Sequence, residues 1–195
     1  MTTNNHIFTL EEIALAYAKS AERLFGGDTE FLNSNQEVIP VFVNMLFQSL
    51  EISIKHAGVE AKLFTLKEVR KRQHRSGHGI KEIATLAVEK LGGDPFTSII
   101  TAMTFSCTNQ HAENIIRQMV CGEDFEKTRN VYATRYLGYG QIKNGDFSLI
   151  TPIEDWVESV KQTALNLPKT IDILTQWKQS ESDSKHFAIW YDENK

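Results

Sequence analysis

A chain of 195 residues with 41% apolar and 24% charged side chains is long enough for one ordinary domain with its own core, and this composition excludes general disorder. Its net charge of −4 excludes a surface coated in positive charge, although a local basic patch can still form. No apolar run nears the roughly 20 residues that span a bilayer, and Met1 to Phe8 has no signal-like apolar core, so the expected location is the cytosol and no membrane contact is expected.

The first helix is predicted over "TLEEIALAYAKSAERLFGG", where Thr9 and Glu12 have capping-box spacing and Gly26-Gly27 stops the chain. The second is predicted from Pro40, suited to a first helical position, to Gly58 at its end. Val41, Phe42, Met45, Leu46, Leu50, Ile54 and Ala57 leave little of its circumference for water, which places it at the centre of the structure. A basic loop follows, and then a helix over "GIKEIATLAVEKLGG" whose stripe is Ile80, Ile83, Ala84, Leu86, Ala87 and Leu91. Pro95 opens "PFTSIITAMTFSC", "NQHAENIIRQMVCG" comes next, and "DFEKTRNVYATRYLGYG" reads as another helix. "GQIKNGDFSLITP" permits a small hairpin or a loop. The last helix starts on Thr151, Pro152 and Glu154, and Pro168 should kink or break it.

Six or seven helices with almost no strand signal predict an all-α fold, an antiparallel up-and-down helical bundle. Residues 1–180 form a single domain in this reading, and "QSESDSK" detaches a C-terminal tail over 181–195. Cys107 and Cys121 have neither Cys-x-x-Cys nor zinc-type spacing and are expected as two buried thiols.

Two features invite a functional reading. On the central helix Asn44, Gln48, Glu51 and Lys55 are separated by four, three and four residues, which lines them up on one face. They are either that helix's solvated stripe, with Glu51 and Lys55 as an ordinary ion pair, or a polar line facing a cleft or a partner chain. The second feature is Lys67 to His78, where Lys67, Arg70, Lys71, Arg72 and Arg75 stand against Glu68 alone. That local excess of four positive charges leaves the rest of the chain at −8. The loop either faces water or binds a phosphate or RNA backbone, with His78 at a Gly-His-Gly helix start that favours an anion. His74 and His78 share an i,i+4 spacing, but Gly77 and Gly79 interrupt any helix there and no third ligand has a defined spacing. Neither a metal nor a cofactor is expected. Common hydrolase and nucleotide-binding loops are missing from the sequence as well.

The order "VNMLFQSLEISIKHAG", "GHGIKEIATLA" and "ATRYLGYG" resembles the HEPN superfamily of small helical domains. Asn44, Phe47, Glu51 and Lys55 match an Asn-x-x-Phe-x-x-x-Glu-x-x-x-Lys-like helix. His78, Ile80 and Ile83 match a His-x-Leu-x-x-Leu helix, and Arg135-Tyr136 a later Arg-Tyr pair. The similarity spans about residues 38 to 140. It implies a bundle of four or five core helices, usually dimeric, that binds or acts on RNA or nucleotides. Many members are metal-independent ribonucleases with an Arg-x4-6-His motif paired across a dimer interface. Arg72 and His78 have such a spacing, but in the loop before the third helix; near the last core helix Arg129-Asn130 has no His after it. The resemblance therefore favours a non-catalytic homodimeric module that binds RNA, a nucleotide or a partner protein, in a toxin–antitoxin or phage-defence setting. Its binding residues would come from Asn44, Glu51, Lys55, Arg70, Arg75, His78, Arg135 and Tyr136. The alternative is a metal-independent endoribonuclease with His78 as general acid and base and Arg72 or Arg75 stabilising the transition state.

Overall fold

Helix α1 (Leu10–Phe25) begins where the sequence predicts. The Thr9 side chain accepts from the Glu12 N–H (3.2 Å), and the Glu12 carboxylate accepts from the Thr9 N–H (2.8 Å). Gly26 ends the helix at φ 61°, a left-handed conformation that a side chain would resist. Ala14, Ala18, Ala21 and Phe25, spaced by four, three and four residues, form its buried stripe. The computed structural model describes residues 7–35, 38–73, 79–93, 98–121 and 153–193.

A short helix α2 (Thr29–Ser34), capped by Asp28, turns the chain into α3 (Ile39–Glu60). The two long helices run antiparallel. His56, late in α3, meets Glu11, early in α1 (3.3 Å), while Phe42, early in α3, lies 6.2 Å from the ring of Phe25, late in α1. Midway, the Ser49 hydroxyl donates to the Ala14 carbonyl (2.8 Å). Alanines let the backbones approach this closely, and the bond gives a buried hydroxyl the partner it needs.

Helix α3 is central, as its apolar circumference predicts. It packs against α1, the short α4 (Leu66–Gln73), α5 (Ile80–Lys90), α8 (Ile153–Leu165) and α9 (Leu167–Glu193). Phe42, Leu46, Leu50, Ile54 and Ala57 are fully buried, whereas Val41 is exposed and Met45 half-buried. At about 1.5–3 kcal/mol for each large side chain removed from water, this one helix contributes a large share of the driving force. The expected stripe of α5 is buried at every position from Ile80 to Leu91. Two further helices, α6 (Ile99–Thr104) and α7 (Ala112–Cys121), close the core with Ile99, Met103 and Ile116.

The ends of elements hold the differences from expectation. Gly58 does not terminate α3, which continues to Glu60; the turn that follows has Lys62 at φ 58°. What Gly58 supplies is room: a methyl group there would lie 2.0 Å from Cζ of Phe64, whose ring is buried on top of it. Pro168 acts as expected. Having no N–H to donate one turn back, it sits in the first turn of α9, and the chain breaks at Asn166. The tail expected after residue 180 is continuous with α9 as far as Glu193. The helix expected from Asp124, the candidate hairpin, Pro95, Thr151 and Pro152 lie outside the described residues. Among the described residues there are nine helices and no strand, and no helix is long and apolar enough to cross a membrane.

Candidate functional site

The polar line of α3 is not an ordinary wet stripe. Glu51 is only 5% exposed, Lys55 is half-buried and forms an ion pair with it, and Asn44 and Gln48 are half-buried on the same face. A carboxylate at that depth has lost much of its water, and the ammonium of Lys55 is one of the groups that compensate for it. Ser49 and His56 point elsewhere, toward α1.

The basic stretch is the larger surprise, because much of it is helix. Thr65 opens α4 with a second capping box. Its N–H and hydroxyl both donate to Glu68 Oε2 (2.7 and 2.9 Å), and its Oγ1 accepts from the Glu68 N–H (3.3 Å). Val69 is buried and fastens the helix to the core. One turn apart, Glu68 and Arg72 share the flank that faces the last turn of α5. Lys90 Nζ donates to Glu68 Oε1 (2.9 Å), and Arg72 pairs with Glu89. The Lys90 hydrogen bond first, and then the donors of Thr65, hold the Glu68 carboxyl at about 2, so it is ionised throughout the physiological range.

Helical geometry puts Lys67 and Lys71 on the side opposite Val69, with Arg70 beside Lys67 on the flank away from α5. All three are exposed, and among the described residues none has an acidic partner. A row of three cations one turn long concentrates positive charge on this face.

The expected site residues therefore fall into separate groups. Asn44, Glu51 and Lys55 share one face of α3. Arg70 belongs to the open face of α4, whereas Arg72 is turned aside to Glu89. Arg75, His78, Arg135 and Tyr136, together with His74, lie outside the described residues. The thiols are half-buried, not fully buried as expected. Burial, helped by the charge of Glu158, pushes Cys107 up to about 11, and burial also raises Cys121, so neither is poised as a nucleophile at neutral pH. Among the described residues no three His, Cys, Asp or Glu side chains gather as a metal site. Sequence reasoning missed Glu89 and Lys90, which complete the α4 flank, and undervalued Lys67. The Thr65-x-x-Glu68 box was the available signal, since it predicts a helix and therefore which cations share a side.

Other polar clusters bind elements to one another. Arg117 donates to Glu113 (2.6 Å), which also accepts from the Thr101 hydroxyl (3.0 Å), joining α6 to α7. Lys161 on α8 pairs with Glu158 (2.6 Å) and with Glu22 on α1 (2.7 Å). No protein-family model, curated protein or solved structure matches the chain.

Proposed function

We propose that this chain is a non-catalytic helical module that binds the phosphate backbone of single-stranded RNA through the open face of α4. The observation that carries the reading is the row Lys67, Arg70 and Lys71, exposed on a helix whose opposite side is locked into the core. An acidic protein has no solubility reason to concentrate positive charge in this way, and the rest of the surface repels a polyanion, which confines contact to this face. A footprint of three cations is small. The expected affinity is non-specific in character, with Kd on the order of 10–100 µM at moderate salt.

The homodimer implied by the family resemblance is part of the proposal, and we assign its interface to the exposed apolar side chains Ile7, Phe8 and Leu10 at the start of α1.

The test is the salt dependence of oligouridylate binding, followed by fluorescence anisotropy. Each phosphate neutralised on a single strand contributes about 0.7 to the slope of log K against log salt, so three contacts give a slope near −2. Replacing Lys67, Arg70 and Lys71 together by Gln should flatten that slope to near zero and leave the melting temperature almost unchanged, because exposed charges contribute little to stability. An unchanged slope would remove α4 as the binding face. Cleavage of the RNA in EDTA, lost in His78→Ala, would move the assignment to the metal-independent ribonuclease.

A further inference from the structure

The two ion pairs between α4 and α5 differ in how firmly each acid is held. Glu68 accepts from Lys90 and from both donors of Thr65, and removing it would also uncap α4. Glu89 has Arg72 as its one polar partner among the described residues, and both members of that pair are nearly half exposed. Water and dissolved anions reach such a pair, which makes it weak and exchangeable.

We infer that Glu89 is an electrostatic guard on the α4 face: it holds Arg72 in reserve and lowers the affinity of that face for polyanions. The inference rests on the proposed RNA-backbone reading. Arg72 lies about 100° around α4 from Lys71, on the α5 flank with Glu68, and its long side chain can reach a strand that runs across the open row toward α5. It can meet a carboxylate or a phosphate in the same bidentate manner. While Glu89 occupies it, a strand crossing the face meets three available cations, with two acids, Glu68 and Glu89, on the α5 flank; the charge of Glu68 is offset by Lys90. Neutralising Glu89 removes one of the two repelling charges and frees Arg72 from its cross-helix partner.

The experiment compares four full-length proteins with the same labelled oligouridylate over a salt series. Glu89→Gln should bind about fivefold more tightly at low salt, and its slope should steepen by about 0.7, one further phosphate contact. Arg72→Gln combined with Glu89→Gln deletes the pair without changing net charge, and should return both affinity and slope to the wild-type values. Glu30→Gln alters the net charge by the same amount on α2. That helix precedes α3 whereas α4 follows it, at the far end of a rod about 33 Å long by the helical rise, about three Debye lengths at 0.1 M salt, where this control is read. It should bind as the wild type does.

Several results overturn the guard. These are unchanged binding by Glu89→Gln, a gain that survives loss of Arg72, or an equal gain in Glu30→Gln; in each case salt-sensitive wild-type binding still supports the RNA face. If neither the wild type nor Glu89→Gln binds, the RNA-backbone reading itself fails and the guard falls with it. Matching melting curves for the four proteins establish that the comparison concerns binding and not folding.

Discussion

Lys55 carries more than its exposed counterparts because of where its partner sits. Arg72 and Glu89 face solvent, where such a pair is worth at most about 1 kcal/mol. Glu51 is nearly out of reach of water, so removing the ammonium costs an attraction that low dielectric makes stronger than at an exposed pair. Lys55→Ala should lower stability by about 1–3 kcal/mol in urea unfolding, while Lys67→Ala on the open face of α4 should change it by less than about 0.5 kcal/mol. Equal, small effects would return the α3 line to a solvated stripe. The spacing of that line was legible in the sequence, and so was the pairing of Glu51 with Lys55. Its depth was not, because burial of a helix face depends on elements distant in the chain.

At the scale of elements, helix starts were legible and some ends were misleading. Thr9 with Glu12 marks the start of α1, and Pro168 marks a break, because each acts through its own backbone neighbours. The same box stands at Thr65 and Glu68, yet the like-charged Lys67 and Lys71, one turn apart, argue against a helix. What holds α4 nonetheless is the burial of Val69 and the pairs of Glu68 with Lys90 and Arg72 with Glu89, 22 and 17 residues away, which local pattern cannot reveal. Gly58 misled for a related reason: a glycine near the end of a helix resembles a cap until a ring from the next turn is seen resting on it. Its role makes a sharp prediction. Gly58→Ala drives a methyl group into the buried Phe64 ring and should destabilise the protein by about 1–3 kcal/mol, the usual range for overpacking. Phe64→Leu in the same chain should recover part of the loss, whereas a missing cap would not respond to Phe64 at all.

For the whole molecule, α1, α5, α8 and α9 pack around the apolar side of α3 within one chain. The proposed homodimer draws on surface elsewhere: Ile7, Phe8 and Leu10 are exposed within four residues of one another, Ile7 at 87%. Three side chains supply only part of the roughly 800 Å² per partner of a standard interface, so the dimer should be weak and concentration-dependent. Light scattering should show a rising fraction of a species at twice the 22.2 kDa chain mass as the protein passes through micromolar concentrations. Ile7→Ser with Leu10→Ser should hold the protein at the single-chain mass. Ile7 and Leu10 lie outside the buried stripe of α1, so the melting temperature should fall little. A dimer that persists in this double variant would place the interface elsewhere, and a wild type that stays at the single-chain mass into the hundreds of micromolar would remove the homodimer from the proposal. RNA binding by α4 would be unaffected by either result, since α4 faces its ligand from one chain alone.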